Sequence, residues 1–299
     1  MQTTWVRVLA WIAGIVTGLL LVLSYTPFLT MIILSFQGPR GSAFFPLTQW
    51  PNIIWYYKLF FPGKIMPGME KYYDVGEFLG DYWRGFWLSI RLALVTMIVS
   101  TILGLLAALG LRTVNRGRQL LFHCLTLGLV IPGITLSLGL ALFFDQFLGP
   151  YLGISPGPWT SGLAAHVVWT FPFCFIIFFV FMGRLDPGLE EAARNLGANP
   201  IVAFLTITLP QLQPAIMSSM LFGFTLSLDE YARSVLLMGK EQTLPLLILA
   251  TLNLRVTPTL YALGTVLTLG SFSIIAIFLL GFRLSEIRKP ETRWQEDVR

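Results

Sequence analysis

The 299-residue chain is 55% hydrophobic and only 12% charged, whereas an average soluble domain carries about 25% charged residues. This excludes an ordinary soluble fold and predicts an all-α integral membrane protein. The formal net charge of +5 does not signal nucleic-acid binding, because the basic residues are scattered along the edges of apolar segments rather than gathered on one face.

A helix needs about 20 apolar residues to cross the roughly 30 Å hydrocarbon core. Six segments are read as transmembrane helices, at 8–36, 85–111, 120–144, 162–183, 214–228 and 259–282. The first follows a short arm with Arg7. Its apolar run exceeds the roughly 7–15 residues of a signal peptide and no small-residue cleavage site follows, so it reads as a retained membrane helix. The segment after it, to residue 84, is long and aromatic, "WPNIIWYYKLFFPGKIMPGMEKYYDVGEFLGDYW", and part of it suits an interfacial belt. In the third segment Pro132 and Gly133 interrupt the apolar run, as Pro172 does in the fourth. His123, His166, Cys124 and Cys174 fall inside predicted helices without a ligand set or partner spacing and read as packing or hydrogen-bonded residues.

Basic residues near helix ends set orientation. With the N-terminus inside, the inner segments hold Arg7, Arg112, Arg116, Arg118, Arg184, Arg194, Arg283, Arg288, Lys289, Arg293 and Arg299. The longer outer segments hold fewer, so both termini are expected on the cytoplasmic side of a bacterial inner membrane.

Between the fourth and fifth segments lies a polar insertion, "RLDPGLEEAARNLGANPIVAFLTITLPQLQP", residues 184–214. Asp186 followed by Pro187 predicts a helix start, Gly197 a left-handed stop, and Asn199 with Pro200 a second start. Pro210 and Pro214 are expected to end that second helix. On the first helix Leu189, Ala192, Ala193 and Leu196 share one face, while Glu190, Glu191, Arg194 and Asn195 take the other. About ten residues make a helix that is marginal in water, so it requires a surface to pack on. Its small alanines and paired acids suit a protein partner better than a membrane surface, whose helices carry Lys and Arg.

"EAARNLGANPIVAFLTITLP", residues 191–210, resembles the EAA loop of the membrane subunits of bacterial ABC importers. Glu191, Ala192, Ala193, Gly197, Ile207, Leu209 and Pro210 match its pattern. The resemblance covers about 83–285 and implies the type I importer permease fold. It divides the chain into an N-terminal helix and long periplasmic loop (1–82), a permease core with its coupling loop at 184–214 (83–285), and a cytoplasmic tail (286–299). It further implies that Glu190, Glu191, Ala192, Ala193, Leu196 and Gly197 couple to a separate ATPase. The implied partners are a second permease, two ATPase copies, an external substrate-binding protein and membrane lipid. This chain contains no G-x-x-x-x-G-K-[ST] loop, and "MGKE" at 238–241 lacks the required spacing. It is therefore expected to be no enzyme and to hold no cofactor, with ATP and Mg²⁺ bound by the partner.

"FTLSLD", Phe224–Asp229, with Thr243–Pro245 and the later Pro258, Ala262, Leu263 and Thr265, looks most like the spermidine/putrescine permease branch. Asp229 and Glu230 are candidate cargo residues, since carboxylates at membrane depth mark a pathway or a partner. The competing reading pairs one of them with Arg233 on the same helix. Arg233 departs from the branch and would suit a zwitterionic or anionic cargo such as an opine or aminoalkylphosphonate. A stand-alone secondary transporter would show inverted repeats, and a membrane enzyme a clustered constellation; both leave the EAA loop unexplained.

Overall fold

The computed structural model describes residues 2–40, 43–62, 64–68, 79–254 and 256–287, and the expected tail beyond 287 lies outside them. Every regular element among the described residues is helical. Among the described residues five helices are long and apolar enough to cross a membrane, and there are six such spans if Pro200–Gln211 and Gln213–Leu228, bent by 68°, count as one.

The chain divides into two units, 1–79 with 252–299, and 80–251. In this division the last helix joins the first. In the first unit α1 (Gln2–Ser35) pairs with α13 (Pro258–Ile287), and α2 (Ile54–Phe60) packs on α13. Gly264 lets the Met31 side chain of α1 lie close, since a Cβ there would fall 2.6 Å from the Met31 sulfur. Beyond α1, the Trp55 Nε1 donates to the Gln37 carbonyl at 2.6 Å. The buried Gln37 amide in turn binds the 44–48 segment, donating to the Pro46 carbonyl at 3.1 Å and accepting from the Thr48 N–H at 2.8 Å. Part of the aromatic segment after α1 is thus held by buried hydrogen bonds.

The second unit is built on α3 (Leu79–Thr113), α7 (Leu163–Met182) and α11 (Gln213–Leu228). Lipid gives helices little hydrophobic reason to associate, so close approach and polar contacts must supply it. Gly104 lets α3 touch the backbone of α7, as a Cβ would fall 2.8 Å from the Cys174 backbone, and Gly223 brings α11 against Met97. Ser100 bonds Thr170, and Ser219 donates to Thr101 at 3.3 Å. Ala108, Leu111, Phe175, Phe178, Met182, Leu212 and Ala215 form the core around these contacts.

The expected third span is displaced along the chain. A short helix, α4 (Arg118–Thr126), precedes Pro132, and the spanning helix begins only at Gly133, running through α5 (Gly133–Phe143), a wide turn and α6 (Gly149–Leu152). Proline has no N–H to donate and disfavours helix at the residue before it, so the helix restarts after Pro132. Cys124 on α4 is exposed rather than packed, whereas Cys174 is buried.

Candidate coupling and translocation sites

The polar insertion folds into α8 (Pro187–Asn195), then α9 (Pro200–Ala203), a wide turn and α10 (Leu209–Gln211). The Asp186 carboxylate accepts the Gly188 N–H at 2.9 Å and opens α8. Gly197, at φ +96°, closes it, with its own N–H bonded to the Arg194 carbonyl and that of Ala198 to the Ala193 carbonyl. Asn199 caps α9 through Val202 N–H at 2.8 Å. The helical run that begins at Pro200 stops at Gln211, one residue after Pro210, and the next helix starts at Gln213 with Pro214 in its first turn. The chain bends by 68° at the buried Leu212 between them.

The geometry divides the residues assigned to coupling. Leu189 is 48% and Leu196 90% exposed, and Ile201, Val202 and Leu205 of the following turn are exposed beside them in sequence. Among the described residues the two leucines of the apolar face of α8 are therefore left largely uncovered. Ala192 and Glu191 are exposed and Ala193 is half-buried. Glu190 behaves differently: its carboxylate accepts from the Thr208 hydroxyl at 3.2 Å and lies 3.7 Å from the Arg112 guanidinium at the end of α3. It straps the loop to the spanning helices and is not part of the outward face.

After α11 the chain does not continue as helix. Asp229 ends it, and residues 230–243 form a succession of turns before α12 (Leu244–Leu254). These turns are pinned by buried polar contacts. His166 bonds Ser227 through Nδ1 at 2.7 Å and Ser234 through Nε2 at 2.8 Å. The Ser161 hydroxyl donates to the Leu237 carbonyl at 2.6 Å, and that of Ser137 to the Arg233 carbonyl at 3.0 Å. The reading of His166 as a hydrogen-bonded packing residue agrees with this geometry.

Glu230 and Arg233 are both buried, and their side chains meet at 2.8 Å. The guanidinium also lies 3.6 Å from the centroid of the Trp169 ring, in space that Gly133 leaves open. The Glu230 carboxylate also accepts the Arg233 N–H at 2.9 Å, the pairing that the sequence offered as the alternative to a cargo role. Asp229 is exposed and its carboxylate makes no hydrogen bond or ion pair among the described residues. Trp169 and Gly133 were invisible as partners of Arg233, because nothing local in the sequence links positions so far apart.

The family of binding-protein-dependent transport system inner membrane components matches residues 100–289. The chain belongs to that family: it is a permease subunit of an ABC importer, a membrane component without its own ATPase. It is 30% identical to the putrescine transport system permease protein PotI of Escherichia coli, over 90% of this chain and 89% of that one. It is 32% identical to the spermidine/putrescine transport system permease protein PotC of Haemophilus influenzae, over 63% of this chain and 72% of that protein. Among solved structures, a bacterial ABC transporter that imports alginate superposes over 95% of this chain and 97% of its own, with a TM-score of 0.67 at 16% identity.

Proposed function

We propose that this subunit forms half of a pathway for small organic cations, polyamines first among them, and is driven by a separate ATPase that docks on α8. The observation that carries the cargo reading is the different fate of two adjacent acids. Glu230 neutralises Arg233, leaving Asp229 as an open carboxylate at the end of α11. At an effective dielectric of 20, one carboxylate 4 Å from an ammonium is worth about 4 kcal/mol before desolvation is subtracted. That suits a transit site, where cargo must enter and also leave. The names of the relatives from Escherichia coli and Haemophilus influenzae point to the same cargo class.

The coupling reading rests on the uncovered apolar face of α8, which lies between two capped turns and is anchored through Glu190. In this arrangement a second permease completes the pathway, two ATPase copies bind ATP and Mg²⁺, and an external binding protein delivers cargo. Both termini then lie in the cytoplasm.

The cargo reading is tested by energised uptake of labelled putrescine, spermidine and zwitterionic amines into vesicles holding the assembled complex. Polyamine uptake that falls at least tenfold with Asp229→Asn and survives Asp229→Glu is the expected result. Uptake of zwitterions alone, or an unaltered Asp229→Asn variant, contradicts it.

A further inference from the structure

At the end of α3 away from the coupling loop, an open cavity of about 700 Å³ lies against the turns at 240–242. Its rim carries Arg84, Arg91 and Lys240, with Trp83 and Trp87 between them, and two carboxylates, Asp81 and Glu241. Among the described residues none of these three cations is paired with a carboxylate. The Arg91 Nε donates to the Trp87 carbonyl at 3.1 Å, which fixes the start of that side chain and leaves its outer nitrogens for another group.

The depth of Arg91 follows from helix geometry. Residues 92–111 contain no charge, and Arg112 closes that run beside the coupling loop. At 1.5 Å per residue the two arginines stand about 32 Å apart along α3, close to the roughly 30 Å of a hydrocarbon core. Arg91 therefore sits at headgroup level, where exposed tryptophans also concentrate. Arg84, Trp87, Arg91, Leu94, Ile98 and Ile102 follow one another at steps of three and four and share one face of α3. The last three are exposed and extend about 16 Å from Arg91 towards the membrane centre.

We propose that this end of α3 binds an anionic phospholipid, its phosphate held by Arg84, Arg91 and Lys240 and one acyl chain lying along Leu94, Ile98 and Ile102. An acidic loop of a water-soluble partner would use the cations and leave the aliphatic track idle. A cationic cargo would be repelled by the rim. A lipid with a negative headgroup uses both features.

The test reconstitutes the full chain, within its complex, into bilayers of equal phosphatidylglycerol and phosphatidylcholine, then counts the lipids retained after detergent extraction by native mass spectrometry. Preferential retention of phosphatidylglycerol is expected, falling about tenfold in Arg84→Gln/Arg91→Gln. The milder Lys240→Gln should lower it partly, and serves if the double variant fails to assemble. Arg116→Gln, remote from the cavity, should leave it unaltered. Equal retention of both lipids, or wild-type preference in both cavity variants, overturns the proposal. So does displacement by millimolar inorganic phosphate, which would mark a free-phosphate site. Loss of binding-protein affinity in the variants without any lipid preference would mark a protein-docking face and also overturn it.

Discussion

Arg233 is held between an anion and an aromatic face, 2.8 Å from the Glu230 carboxylate and 3.6 Å from the centre of the Trp169 ring. This placement turns a residue that would oppose cationic cargo into a fixed internal fastener. It ties the turns after α11 to α7, while Ser137 ties the same turns to α5 through the Arg233 carbonyl.

Removing one member of a buried pair strands the other, at a cost of about 3–5 kcal/mol. Glu230→Gln and Arg233→Gln are each expected to lower the thermal midpoint of the purified complex markedly. The double substitution should cost less than the two single effects combined. A thermal-shift double-mutant cycle checks this; strictly additive effects would mean that the pair contributes nothing jointly.

Gly197 closes α8 at φ +96°, a conformation that costs an L-residue about 1–2 kcal/mol. Gly197→Ala should loosen the end of α8 and speed amide exchange at Gly197 and Ala198, whose N–H groups close the helix. Gly197→Asn should do so less, because asparagine tolerates this region. Exchange rates unaltered in both variants would contradict the capping role.

Gly104 meets the α7 backbone with no room for a side chain. Gly104→Leu is expected to push α3 from α7 and to abolish stable assembly, whereas Gly110→Ala, where a Cβ meets open space, should be neutral. Yields and thermal midpoints of the detergent-purified complex report the difference.

Features governed by neighbouring residues were legible in the sequence. The caps at Asp186, Gly197 and Asn199 lie where side-chain chemistry and backbone preference place them, since a cap depends on residues within a few positions. Composition alone places the start of the third span too early, because apolar residues run straight through Pro132 whereas backbone hydrogen bonding cannot. The resemblance to the EAA loop places Glu190 with the coupling residues, and amphipathic spacing shows which residues share a face without showing which face a neighbour covers. Here Arg112 and Thr208 draw the acid inward and leave the apolar face open. The sequence leaves open which of Asp229 and Glu230 pairs with Arg233, and the two separate only when Trp169 and Gly133 fix where Arg233 lies.

The most direct test of the account concerns Leu196, at 90% exposure the most open residue of the coupling loop's apolar face. Energised uptake and ATPase co-purification are compared between wild type and Leu196→Asp, with insertion and thermal midpoint measured in parallel. Loss of both uptake and bound ATPase, with insertion and midpoint unaltered, is the predicted result. Normal uptake by a fully inserted Leu196→Asp variant would contradict coupling through this face of α8.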